Sequence, residues 1–134
     1  MRGDFYDTNI LIYATSANDL KFERADALIA SGGTISVQVL NEFTNVARKK
    51  MSLAWPPIHH FLKGIRTLID VCPLDIAMHD RALAMSQKHG FHIYDALIVA
   101  AALATDCTTL FSENMHHGLV IDGQLTIVNP FPRS

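Results

Sequence analysis

Asp4-Phe5-Tyr6-Asp7-Thr8-Asn9-Ile10-Leu11-Ile12-Tyr13-Ala14 runs from a short strand-like segment through an acid into an apolar stretch that reads as a helix. A strand that ends on a carboxylate and passes almost directly into a helix is the opening of an α/β unit. The pattern recurs outward from there. Strand candidates are Phe5–Tyr6, Thr34–Ser36, Leu68–Cys72 ended by Pro73, Cys107–Phe111 and Leu125–Val128, each separated from the next by helix-length sequence. Lys21–Ala30 has helical apolar spacing and stops at Gly32-Gly33. Ser36 opens a second helix, and Trp55-Pro56-Pro57 starts one that continues through Ile58, Phe61, Leu62, Ile65 and Leu68. Asp75 caps a segment that reaches His89 and stops at Gly90, and Tyr94–Ala104 is almost wholly apolar. Strands alternating with helices predict a three-layer α/β/α arrangement around a central parallel sheet of about five strands. In such sheets ligands bind beyond the carboxyl ends of the strands.

The 134 residues suit one domain, 1–134, with a core large enough to need no staples. A hydrophobic content of 49% with 18% charged residues excludes a disordered chain. Cys72 and Cys107 stand far apart without neighbouring thiols, so they fit neither a zinc spacing nor a disulfide framework and are expected buried, reduced and strand-borne. The N-terminus lacks a signal-peptide pattern and Ala96–Ala104 is too short to span a bilayer, which predicts a cytoplasmic protein without membrane contact. A formal charge of −2 and a pI near 6.3 exclude nucleic-acid binding by bulk positive field. Any nucleic acid has to be held by local basic patches or through a metal ion.

Three acids fall where this architecture can converge them: Asp7 at a strand end, Glu42 in the helix after Ser36, and Asp95 at the start of the apolar helix. Each has a plainer alternative. Asp7 can serve a turn or helix cap beside Thr8-Asn9, Glu42 can be a solvated flank residue, and Asp95 can cap its helix, near whose start an acid is favoured by free amides and the dipole. The coincidence of all three favours a joint role, because clustered carboxylates repel unless a cation is present. Hard carboxylate oxygens suit Mg²⁺ or Mn²⁺, ions that activate water against a phosphodiester.

Phe5-Tyr6-Asp7-Thr8-Asn9-Ile10-Leu11-Ile12-Tyr13-Ala14, Ser36-Val37-Gln38-Val39-Leu40-Asn41-Glu42-Phe43, Tyr94-Asp95-Ala96-Leu97-Ile98-Val99-Ala100-Ala101-Ala102, Phe111-Ser112-Glu113-Asn114-Met115 and Asn129-Pro130-Phe131 occur in the order of the signatures of PIN-domain nucleases. The chain resembles that family over essentially its whole length, and within it the single-domain VapC-type toxins of toxin-antitoxin systems. The resemblance implies an endoribonuclease dependent on Mg²⁺ or Mn²⁺, inhibited by a small cognate antitoxin, cytoplasmic and homodimeric. It assigns Asp7 and Asp95 as metal ligands, Glu42 as a further acid of the metal site, and Ser112 as the hydroxyl that steadies the same edge. Asn114 stands where the family usually carries an aspartate, so one charge is missing unless Glu113 replaces it.

Other signals compete. The seven histidines include the pairs His59-His60 and His116-His117. Adjacent helical residues point about 100° apart, so neither pair readily shares a zinc ion, and surface histidines are the expected reading. His116 and His117 also lie close enough to Asn114 to be candidates for a phosphate contact. Arg48-Lys49-Lys50 ends a helix, where cations complement the dipole, and is a second candidate together with Lys21 and Arg24. Trp55, Tyr6 and Tyr94 are set in apolar surroundings and are not expected as base-stacking platforms. A phospho-acceptor receiver domain also uses acids at strand ends, but it requires paired acids after the first strand and a late lysine, and none follows Lys88. A PIN-like RNA-binding module with weak or lost catalysis is the other alternative, motivated by Asn114.

Overall fold

The computed structural model describes residues 3–131. In chain order the elements are β1 (Asp4–Tyr6), α1 (Thr8–Ala14), α2 (Phe22–Ala30), β2 (Thr34–Ser36), α3 (Val37–Lys49), α4 (Trp55–Leu68), β3 (Asp70–Cys72), α5 (Ile76–His89), α6 (Ile93–Ala104), β4 (Thr109–Phe111), β5 (Val120–Ile121) and β6 (Leu125–Val128). The sheet has the order β3-β2-β1-β4-β6-β5, with every neighbouring pair parallel except β5 and β6. The expected α/β class with a mostly parallel sheet therefore holds, with six strands in place of about five.

Successive strand residues point to opposite faces of a sheet. Phe5 and Tyr6 are consecutive in β1 and both fully buried, as are Ile35 and Ser36 in β2, so the central strands are covered on both sides. Helices supply that cover, and α6, apolar all round, is the most deeply buried of them: Ala96 and Ile98–Leu103 are all buried. Tyr6 fastens β1 to the turn after α2, its hydroxyl proton facing the carbonyls of Leu28 at 2.8 Å and Gly32 at 2.5 Å. That approach requires glycine next door. Gly33 has φ +140°, and a Cβ there would lie 2.5 Å from the Tyr6 ring.

Several boundaries differ from the sequence reading, each for a local reason. α1 begins at Thr8 because Asp7 itself is the cap, so Thr8 and Asn9 lie inside the helix. α4 continues to Leu68, and the Ile69 amide still donates to the Ile65 carbonyl, which leaves β3 only Asp70–Cys72. β4 starts at Thr109, because Asp106 takes a positive φ and the Cys107 amide turns back to the Ala102 carbonyl. Cys107 is therefore buried and free as expected, yet lies in a turn, whereas Cys72 is in β3. The unforeseen strand β5 pairs with β6 across Asp122-Gly123, both at positive φ. Asp-Gly is a hairpin signal, and it was the cue to that strand.

Candidate active site

The segments that follow the adjacent strands β1 and β4 supply one side of a cleft of about 430 Å³. Asp7 follows β1, and its amide donates to the Phe111 carbonyl at 3.0 Å, extending the ladder by one step. Its side chain is only 5% exposed and accepts from the Thr8 amide at 2.7 Å, the Ser112 hydroxyl at 2.7 Å and the Asn9 amide group at 3.4 Å. Ser112 follows β4 and is fully buried. Its Oγ also accepts from the amides of Asn114 at 3.3 Å and Met115 at 3.2 Å, so this one hydroxyl ties the loop after β4 to the Asp7 carboxylate.

Glu42 reaches the same cleft from α3, whose N-terminus is set at the end of β2 by Ser36, which accepts from the Val39 amide. Both of its oxygens are held: Oε1 accepts from Thr8 Oγ1 at 3.1 Å, and Oε2 from Gln38 Nε2 at 2.7 Å, one helical turn earlier. Asp95 enters from the first turn of α6. It is partly rather than fully buried, and the N-cap is His92, whose Nδ1 accepts from the Tyr94 amide at 3.3 Å. Among the described residues no hydrogen bond engages the Asp95 carboxylate, so it is not a capping residue.

Electrostatics follow this geometry. Burial pushes the Asp7 carboxyl up to about 6; the hydrogen bonds from Ser112 and Thr8 work against the rise, and the charges of Asp95 and Glu42 add to it. Burial also raises Asp95, with His92 opposing. Like charges thus share one partly dry cleft, the condition a hard divalent cation relieves. The donor set fits such an ion by charge and by hardness. Among the described residues, however, no three His, Cys, Asp or Glu side chains already stand in a closed metal-ligand cluster.

The loop after β4 places Glu113 and Asn114, the two candidates for the position of the usual fourth acid, in different surroundings. Glu113 also lines the cleft, but its carboxylate is engaged: Oε1 accepts from the Tyr13 hydroxyl at 2.6 Å and Oε2 pairs with Lys21. Burial alone would raise its pKa, but Lys21 and Tyr13 hold the carboxyl below its ordinary value. Asn114 lines the cleft as an exposed amide. Lys21 is thereby committed to Glu113, and Arg24 donates to the Pro130 carbonyl at 3.3 Å, so neither is an unengaged phosphate contact. His117 Nδ1 accepts from the Asn129 amide at 2.9 Å, which gives it a structural task at the end of β6. Of the Arg48-Lys49-Lys50 run, the alternative candidate for a phosphate contact, Lys50 does line the cleft. The aromatic expectation is corrected in part. Tyr6 is buried, but Trp55 and Tyr94 are half exposed because each sits in the first turn of its helix with its ring beyond the packed stripe.

Residues 5–117 match the PIN domain family. The chain belongs to the PIN domain family. No curated protein matches it by sequence. Among solved structures, this PIN domain is similar to a chain of a toxin-antitoxin complex from Klebsiella pneumoniae, with a TM-score of 0.71 at 21% identity over 96% of this chain and 98% of the other. It is also similar to a chain of the DNA-bound VapBC of Salmonella typhimurium, with a TM-score of 0.69 at 22% identity over 95% and 97% of the two chains. A third likeness is to VapC20 of Mycobacterium tuberculosis, a sarcin-ricin-loop-cleaving toxin, with a TM-score of 0.62 at 18% identity over 83% and 91%. At these identities the likeness is one of fold.

Ser112 yields a direct test of the site's construction. Ser112→Ala removes the donor to Asp7 and leaves two loop amides short of an acceptor, so, if Asp7 holds a metal ion, activity should fall by roughly 10–100-fold, the range for residues that orient metal ligands. Stability should fall by about 1–3 kcal/mol. Turnover and urea unfolding of the variant, measured together, check both effects; unchanged turnover would separate Ser112 from the site.

Proposed function

We propose that this PIN domain, as one unit over the whole chain, is a divalent-cation-dependent endoribonuclease of the VapC toxin type, cytoplasmic, homodimeric and held inactive by a small cognate antitoxin. The observation that carries the nuclease reading is the shared cleft of Asp7, Glu42 and Asp95, in which Asp7 is buried and its carboxyl raised to about 6. The fold likeness to VapC20 and to toxin-antitoxin complexes supports the toxin role and the antitoxin partner.

Asp7 and Asp95 would hold Mg²⁺ or Mn²⁺, with Glu42 as the third acid. When bound, such an ion supplies an activated water and neutralises charge developing on the phosphorane-like transition state. The remaining work belongs to the chain. Ser112 and the Thr8 amide orient the two Asp7 oxygens, and Thr8 and Gln38 fix the Glu42 carboxylate so that it costs little reorganisation during the reaction. Lys50 offers a cation to the substrate phosphate at the cleft. Products would carry 5′-phosphate and 3′-hydroxyl ends.

One observation favours the second reading, an RNA-binding module with weak or lost catalysis: the position of the fourth acid is the amide Asn114, and Glu113 is engaged elsewhere. Incubation of the purified chain with single-stranded RNA in Mg²⁺, in Mn²⁺ and in excess EDTA decides between them. Cleavage is expected with either ion and none with chelator. RNA bound but intact in both metals would establish the binding module instead, and full cleavage in EDTA would end the metal mechanism.

A further inference from the structure

The flank of α3 next to the cleft carries features that the acidic site does not use. Glu42, Val46 and Lys50, spaced one turn apart, line the cleft, whereas Asn41, Asn45 and Lys49, each one position earlier, line a second depression of about 530 Å³. Thr44, Arg48 and Trp55 complete that lining. Trp55 is 51% exposed. The Arg48 guanidinium lies 4.3 Å over its ring and is pinned there by donating from Nη1 to the Leu53 carbonyl at 2.9 Å. Among the described residues no acidic side chain lines this depression.

We propose that this depression is a single-stranded RNA subsite contiguous with the cleft, in which a base stacks on the Trp55–Arg48 pair and neighbouring phosphates meet Lys49 and Arg48. The proposal rests on the nuclease reading for its partner and on separate residues for its chemistry. Unpaired bases stack on aromatic rings and on guanidinium planes, and the two are already assembled here as one platform. The amides of Asn41 and Asn45 supply both donors and acceptors for base edges beside it. With a net charge of −2 the chain has no general attraction for a polyanion, so local cations must hold the backbone. Glu42 and Lys49 stand about 10 Å apart along the α3 axis at 1.5 Å per residue, so a strand leaving the cleft passes directly onto this face.

Trp55 is the only tryptophan in the chain and reports on its own occupancy. With excess EDTA present, titration with a mixed-sequence RNA of about ten nucleotides should quench its fluorescence saturably, less tightly as salt rises. By anisotropy of labelled RNA, Trp55→Ala should weaken binding roughly 5-fold or more. Lys49→Gln, an exposed change that does not touch the start of α4, should flatten the dependence of log affinity on log salt by about one. In Mg²⁺ both variants should raise KM for the longer RNA and cleave a dinucleotide like the parent. RNA cleaved with an unchanged Trp55 signal and parent-like variants would overturn the subsite and leave the nuclease reading intact. RNA that quenches Trp55 but is never cleaved in Mg²⁺ would do the reverse, and failure to bind RNA in EDTA alongside cleavage in Mg²⁺ would overturn the subsite alone. A Trp55 signal that changes with protein concentration alone, with sedimentation showing self-association, would assign this face to a second copy of the chain and overturn the proposal.

Discussion

Asp7→Asn should abolish cleavage and, in the absence of divalent metal, leave the fold at least as stable as the parent above pH 6. The carboxyl is buried and raised to about 6, against an unfolded value near 3.9. The contribution of Asp7 to stability is therefore fully present below about pH 4 and is lost as pH rises through 6. Beyond that the folded chain carries a penalty on the order of 3 kcal/mol for keeping the charge dry. An asparagine removes the charge, and its carbonyl can still accept from the Thr8 amide, whereas its amino group has to be accommodated beside the Ser112 hydroxyl, which offsets part of the gain. The loss of turnover should exceed the roughly 10–100-fold typical of residues that merely orient a ligand. Melting temperatures of parent and variant in EDTA from pH 4 to pH 8, followed by addition of Mg²⁺, test all of this. Magnesium should raise the parent's melting temperature more at pH 8 than at pH 5 and leave the variant unmoved. A parent no less stable relative to the variant at pH 8 than at pH 4, together with retained cleavage, would remove Asp7 from the site.

Asp95→Asn should also abolish cleavage, with a much smaller effect on folding. The acid gains from the N-terminal dipole of α6, about 0.3–1 kcal/mol, and burial of its charge works in the opposite direction, so the net change in stability should stay within about 1 kcal/mol. The cap is His92 and is untouched. Rate and melting temperature measured side by side distinguish the two roles: collapse of both would make Asp95 a structural residue of α6, whereas loss of rate alone is the result expected of a metal ligand.

The two substitutions differ because their neighbourhoods differ, and that difference was only half legible in the chain. Asp7 followed a strand and preceded a helix in plain view, but its burial depends on Ser112, more than a hundred positions later, and on the ladder bond to Phe111. Asp95 sat at the head of an almost wholly apolar run; in the folded chain the first turn of α6 opens onto the cleft, which leaves the acid partly exposed and Tyr94 half exposed. Glu113 could not be oriented from sequence, since its direction is fixed by Tyr13 and Lys21 on distant elements.

The sequence by itself determined the succession of elements apart from β5, the α/β class, the caps Ser36 and Asp75, the stop at Gly90 and the placing of three acids near element junctions. Those properties depend on hydrophobic period and on hydrogen bonds between near neighbours, which are written locally. Only the tertiary structure decided that the acids share one cleft, that Glu113 faces Lys21 and that Trp55 stands exposed beneath Arg48. It also decided that Lys49 and Lys50, adjacent in the chain, serve different depressions. Each of these is a matter of which atoms from separate elements meet, and burial and charge coupling arise only once the sheet order has brought β2, β1 and β4 side by side.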